Sequence, residues 1–445
     1  MIEISEKLLA ILFSLLIFGQ AYLIRRTFGT FLIPAALFSL AWFLYTIIPL
    51  IVLFNVPVNP LSIFYILICV SAFSLSSLPF NWFNALKKNE LKTTSDYNQF
   101  NSKFIHYLFY ISIFSSIIFT IAGAVSNGFD PYSMVFDLMK TSGQYATMRG
   151  HGELDYGNLG RLSIFFTYTT PILGGFISHH QKNKVSQLTI LLLAFTPSLF
   201  LMLTQSTKLI LFISIGFYCA AIFLMKIYSK KLELFNWHLI LKFFGLILLV
   251  FPLISISFLS RDGFSDFDDA EKIIAQLNTS VNSYAFGQIY AFSDFFTHYL
   301  GFDTELNYDD SFNSYGYYTF KSILDSLGGD KEFPIGIFEE GYSYKNVVAT
   351  NIYTIFRGLI YDFGGVGAIC FMFAFGLLIH TFFYRVLNAR NSWFACSVFI
   401  VSVAFIEFTY LMSIFMARYA YLILVALGII LWANNKYWMK NYKHE

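Results

Sequence analysis

An all-α polytopic membrane protein is the fold class this sequence predicts, and three observations predict it. Hydrophobic residues make up 57% of the 445 and charged residues only 13%, about half the roughly 25% charge of a typical soluble domain. The chain offers about eleven apolar runs of the length a spanning helix needs. Lys and Arg gather in alternate connections between those runs, as they do on the cytoplasmic side of a membrane. This composition excludes a nucleic-acid-binding domain, a disordered scaffold and a secreted disulfide framework. The four cysteines, Cys69, Cys219, Cys370 and Cys396, lie inside apolar runs and read as small core hydrophobes.

In order, the runs are Leu8–Ile24, Phe31–Phe54, Leu61–Phe83, Phe104–Val125, Leu162–Ser178, Leu188–Thr204, Leu209–Met225, Phe243–Leu259, Leu359–Phe383, Trp393–Tyr410 and Tyr419–Trp432. The first has only Lys7 before it and Arg25 and Arg26 behind it, so it is expected to stay as an anchor rather than be cleaved. Alternate connections hold 17 of the 29 basic residues with only four acids, which predicts an outside N-terminus and an inside C-terminus. Residues 1–260 then carry spans one to eight with an external loop at 126–161. Residues 261–351 form a large extracytoplasmic cap, and 352–445 hold the last three spans and a cytoplasmic tail. The cap segment Arg261–Asn351 has fifteen acids against five bases and many tyrosines. A structureless loop of that length would be unusual, so it is expected to fold, mainly as helix.

No Walker loop, dinucleotide fingerprint, H-E-x-x-H or C-x-x-C is present. Asp266, Asp268 and Asp269 have a spacing that could hold a divalent ion. Dense carboxylates of this kind are more often a solvated acidic turn, and neither metal nor another cofactor is expected. The basic residues on the predicted outer side are more informative. Arg161, Lys208, Arg261, Arg357 and Arg418 abut ends of predicted spans, and Arg149 lies in the loop before Arg161. A cation at that depth is costly unless it snorkels or faces a cavity or partner. As a group, a ring of such cations would hold a lipid diphosphate. At helical spacing, Thr350, Thr354, Arg357 and Tyr361 share one face, while Asp362 falls about 140° from Arg357 and needs another partner or caps a local turn. Glu407, the acid nearest the middle of a span, reads as a structural salt link to Arg418.

Four stretches carry a family resemblance: Tyr145–Arg161 (YATMRGHGELDYGNLGR), Thr204–Lys208 (TQSTK), Phe286–Leu327 with its FGQIYAFSDFF and YYTF pieces, and Asn351–Gly367. Together they resemble the oligosaccharide repeat-unit polymerases, the Wzy-type O-antigen polymerases. An Arg followed by ten residues and a Gly recurs in external loops of that family. Arg149 and Gly160 fit it, whereas from Arg357 the Gly comes one place early, at Gly367. Lys208 stands where related sequences often place Arg.

The resemblance implies a C-type glycosyltransferase architecture in the bacterial inner membrane, joining oligosaccharide repeats carried on undecaprenyl diphosphate. It implies a partner that sets chain length and no nucleic acid. Arg149, Glu153, Arg357 and Asp362 are then the candidate catalytic residues, with His151 and Asp155 as further candidates for the base. Arg161, Lys208, Arg261 and Arg418 would bind diphosphate, and Tyr290, Tyr353 and Tyr361 would offer faces to sugars. The segment Tyr284–Tyr299 could instead be an amphipathic helix lying on the bilayer. A lipid-linked oligosaccharide flippase and an O-antigen ligase are the alternatives. A flippase should show repeats and midplane polar residues that this sequence lacks.

Overall fold

The structure, a computed structural model, describes residues 4–154, 157–234, 245, 251–255, 270–302, 304, 306–309, 313–329, 331, 333, 337–389 and 392–442. In chain order its helices begin with α1 (Ile4–Phe28), α2 (Pro34–Val52), α3 (Pro60–Leu75), α4 (Trp82–Asn89), α5 (Thr94–Asn98) and α6 (Lys103–Ser126). Next come α7 (Ser133–Phe136), α8 (Leu138–Gly150), α9 (Gly157–His180), α10 (Lys184–Gln205) and α11 (Lys208–Tyr228). After them lie α12 (Ala270–Ala285), α13 (Gly287–Tyr299), α14 (Tyr317–Ser326), a hairpin of β1 (Tyr342–Tyr344) and β2 (Val348–Thr350), α15 (Ile355–Asn388), α16 (Trp393–Phe408) and α17 (Arg418–Tyr442).

Among the described residues, seven helical segments are long and apolar enough to cross a membrane: α1, α2, Thr94–Ser126 (which includes α6), α10, α11, α15 and α17. α3 and α16 are shorter apolar helices. The fifth expected span coincides with α9, which is helical throughout but carries the polar run Thr167–Thr170. Most of the eighth, Phe243–Leu259, lies outside the described residues. Two compact units account for the chain.

The first unit comprises Met1–Ala85, Ile274–Arg385 and Phe405–Arg418. Pairs of small hydroxyls stitch its first helices together, as is common between helices in lipid: Ser14 meets Thr46 at 2.6 Å, and Ser39 meets Ser74 at 3.1 Å. α13 is not a surface helix lying on the bilayer. Its residues from Gly287 to Phe296, apart from Asp294, are buried, and it packs on α2 and α3. Asn59, the N-cap of α3, holds it there by donating from its backbone N–H to Ser293 Oγ (2.7 Å) and from Nδ2 to Thr297 Oγ1 (3.0 Å).

The hairpin turns through Lys345 and Asn346, both in the left-handed region, and Val347 N–H donates to Tyr344 O at 2.8 Å. It sits on α12 and α13. Thr279 Oγ1 donates to Asn346 O (2.7 Å), Ser283 Oγ accepts from Ala349 N–H (2.8 Å), and a Cβ on Gly287 would come within 2.9 Å of Thr350. Gly287 is therefore the residue that lets the strand approach. α15 breaks at Gly364, with φ 71° and ψ 171°, a conformation that a side chain would strain. Tyr299 and Tyr65 satisfy the backbone of Gly365 beside the break, at 3.0 and 2.8 Å. Arg357 thus sits on a short helical piece before the break.

The second unit comprises Leu86–Ile273, Val386–Ala404 and Tyr419–Glu445. Its centre is α9, flanked by α6, α10 and α11. Gly174 and Gly175 make this possible, because a Cβ on either would come within 2.6 Å of the methyl of Ala194 on α10 or Ala221 on α11. Close approach through small residues is how helices gain van der Waals contact in lipid. Toward the α9 N-terminus the α6–α9 seam turns polar, with Ser116 to Thr167 at 2.6 Å and Thr120 to Ser163 at 2.5 Å.

Candidate functional site

Where that seam ends, the second unit has a small, open cleft. Thr120, Gly123 and Asn127 of the α6 terminus, Tyr145 of α8, Gly160 and Ser163 of α9, and Gln205 closing α10 line it, with Leu154, Ile164 and Leu201 as its apolar part. Gly123 lies where α6 and α9 cross, its virtual Cβ 3.5 Å from the Gly160 backbone N. Beside the cleft, Tyr145 stacks on Phe129 at 4.0 Å and 7° in a small core with Ala124 and Met134. α8 therefore has a fixed seat.

That seat aims Arg149. α8 ends in a Schellman motif: Gly152 takes a positive φ of 72°, its N–H donates to Arg149 O (3.1 Å), and Glu153 N–H donates to Met148 O (2.9 Å). The Arg149 guanidinium reaches the last carbonyl of α10 and donates from Nη2 to Gln205 O. A cation there answers the negative end of the helix dipole. Its Nε is buried with no hydrogen-bond partner among the described residues. The stretches Tyr145–Arg161 and Thr204–Lys208 are thereby brought together around one cleft. Ser206, left-handed at φ 53°, turns the chain from α10 to Lys208, which opens α11 and is partly buried. Arg161 is exposed as the fifth residue of α9. His151 and Glu153 are both well exposed, 3.8 Å apart.

In the first unit, Arg357 occupies a different setting from the one its sequence position suggests. It is 1% exposed. Its Nη2 donates to Glu340 Oε2 at 2.7 Å and to Tyr361 OH at 3.4 Å. Five aromatic rings surround the guanidinium, with Phe338 and Tyr353 centroids at 3.9 and 4.0 Å, Phe295 at 4.9, Tyr308 at 5.0 and Tyr361 at 5.3 Å. Such contacts contribute about 0.5 to 2 kcal/mol each, which offsets Nε and Nη1 being buried without hydrogen-bond partners among the described residues. Burial opposes ionisation of Glu340, but the adjacent guanidinium outweighs it and holds the carboxyl below its ordinary range. Burial also pushes the Tyr353 hydroxyl up to about 12.

Several expectations are corrected here. Thr350 is not on the helical face of Arg357, because it ends β2 and the helix begins only at Ile355. Asp362 is not poised as a base with a cationic partner. It is 1% exposed and accepts from Ser314 Oγ (2.6 Å), Tyr318 N–H (2.9 Å) and Thr319 Oγ1 (2.7 Å), capping the start of α14 from another segment. Tyr290, Tyr353 and Tyr361 are at most 1% exposed and offer no open ring face. Tyr290 is a post: its hydroxyl lies 2.8 Å from Leu53 O and 2.9 Å from Pro49 O and accepts from the buried Lys7 ammonium at 3.0 Å. α16 ends at Phe408, so Glu407 and Arg418 share no continuous helix, and no ion pair joins them among the described residues. Arg418 is exposed. Asp155, Arg261, Asp266, Asp268 and Asp269 lie outside the described residues.

Glu340, Phe338, Tyr308 and Phe295 escaped the sequence reading. Their one signal was the alternation Tyr342-Ser343-Tyr344 before Lys345-Asn346, which marks a hairpin that could carry Glu340 back toward Arg357. Comparison with protein-family models, with curated proteins and with solved structures finds no match to this chain.

Proposed function

We propose that this chain is a membrane-embedded glycosyltransferase that joins oligosaccharide repeat units carried on a polyprenyl diphosphate such as undecaprenyl diphosphate, at the outer face of the bacterial inner membrane. One observation carries the reading: Arg149, at the end of α8, meets the end of α10 beside a small cleft of mixed lining at the helix termini. With the N-terminus outside, as the charge asymmetry favours, that cleft opens on the outer side.

In the reaction, the bond between the anomeric carbon of the growing chain and its diphosphate breaks. A new carbon–oxygen bond forms to a hydroxyl of the incoming repeat unit. The electron pair leaves with the diphosphate, and the hydroxyl proton passes to a base. Negative charge grows on the leaving oxygens, so prepositioned cations lower the barrier. Arg149 is the cation we assign to this, tied to Gln205 of the cleft lining, with Arg161 in α9 and Lys208 at the start of α11 as further cations of the same unit. Glu153 and His151 are accessible enough to take the proton. No nucleotide is needed, because the sugar diphosphate bond is already activated.

Deletion of the gene in its own host, followed by sizing of surface glycan, tests the reading. Glycan capped with a single repeat unit is expected, restored to long chains by the wild-type gene. Complete loss of exported glycan would mean a flippase instead, and free, unattached polymer would mean a ligase.

A further inference from the structure

We propose that Arg357 and Glu340 are positioning residues: a buried charge latch that fixes the hairpin-bearing segment onto α13 and the first turns of α15, without touching substrate. The latch itself stands on geometry. Its link to turnover rests on the polymerase reading above.

The closure is built from both sides. Glu340 lies just before β1, and all three of its oxygens are used: Oε2 takes Arg357, Oε1 accepts Asp309 N–H (3.1 Å), and its carbonyl accepts the Tyr353 hydroxyl (3.1 Å). Tyr361, one turn after Arg357, returns the tie by donating to Asp309 O at 2.6 Å. Tyr308 donates to Asp294 Oδ2 at 2.6 Å and so fixes a wall of the box to α13. Four separate stretches, 294–295, 308–309, 338–340 and 353–361, therefore converge on one guanidinium. Gly358 lets α14 close the assembly, its virtual Cβ standing 3.0 Å from Tyr318 Cβ.

A cation serving an anionic ligand needs its donors open to solvent or to a cavity. Arg357 has neither exposure nor a free pair of parallel donors, since Nη2 is held by a carboxylate. For a phosphate to displace Glu340, the rings at 3.9 and 4.0 Å would have to move and leave the carboxylate buried and unpaired, which is costly. A carboxylate matched to a guanidinium inside an aromatic box is instead suited to holding one arrangement of the segment.

The test labels arginines with phenylglyoxal on the full-length protein in liposomes and reads each site by mass spectrometry. In wild type, Arg161 should be modified and Arg357 should be at least about tenfold slower. Inorganic diphosphate should leave the Arg357 rate unchanged. In Glu340→Gln, Arg357 should become reactive, and polymer turnover should fall while half-saturating substrate stays constant. Wild-type Arg357 reacting as fast as Arg161, with protection by inorganic diphosphate, would overturn the latch and make Arg357 an open anion site. If Glu340→Gln does not fold, the wild-type rates with and without diphosphate still decide. If wild type makes no polymer, the polymerase reading fails while the labelling stands.

Discussion

Arg149→Ala is expected to abolish polymer at normal protein abundance, with turnover down by about 100- to 1,000-fold, the usual loss when one preorganised donor to developing negative charge is removed. The effect should come from chemistry more than from folding. Arg149 is only partly buried and its direct tie among the described residues is to Gln205 O, while α8 keeps its seat through the Tyr145–Phe129 stack and the Gly152 turn. Arg149→Lys should recover only part of the activity, because a point charge cannot hold the Gln205 carbonyl and a diphosphate oxygen with the same planar fork. Gel sizing of glycan against immunoblotted protein checks this. Long chains in Arg149→Ala cells would remove Arg149 from the mechanism.

Glu340→Gln is expected to destabilise the protein by about 3 to 5 kcal/mol, because it leaves the Arg357 charge buried in its aromatic box without a counter-ion. A double variant, Glu340→Gln with Arg357→Met, should lose much less than the sum of the two single changes, since it removes the charge that the first change strands. The same pair sets an acid limit. The Glu340 carboxyl is held below its ordinary value of 4.5 in the folded state. Its stabilisation is therefore complete above that value and is lost as pH falls through the lower folded value. Denaturant unfolding in detergent between about pH 3 and 7 should show wild type losing stability at the acid end, and Glu340→Gln should lack that component. Identical acid profiles for the two proteins would dissociate Glu340 from the latch.

Much of the helical frame was legible because lipid imposes it. Long runs such as Phe31–Phe54 and Leu209–Met225 can be satisfied only as helices, and α2 and α11 follow them to within a few residues. Boundaries failed where tertiary contacts decided them. The sequence periodicity carried a helix back to Thr350, but Gly287 makes room for a strand there, and Ile355 N–H bonds to Thr409 O where the helix starts.

The two sites were legible to different degrees, for a physical reason. Arg149 and Thr204–Lys208 stood out as cations and small polar residues at span ends, although nothing local shows that the guanidinium of one meets the last carbonyl before the other. The Arg357 box was hidden because aromatic rings are abundant in a chain with 54 Phe and 29 Tyr. Glu340 is one of fifteen acids in its segment, and only the hairpin singles it out. Charge at a span end was read as a ligand for substrate. Burial turned one such charge into a structural tie and left Arg149 only partly buried, bonded to Gln205 of the cleft lining.

The most direct measurement is turnover by the purified full-length protein in liposomes, given only lipid-diphosphate-linked repeat units and excess chelator. A ladder of glycan rising by whole repeat units, with free polyprenyl diphosphate released at each step, is the expected result, lost in Arg149→Ala. Unlengthened glycan moved across the bilayer, or a ladder that forms only when magnesium or manganese is restored, would contradict polymerisation driven by the protein's own cations.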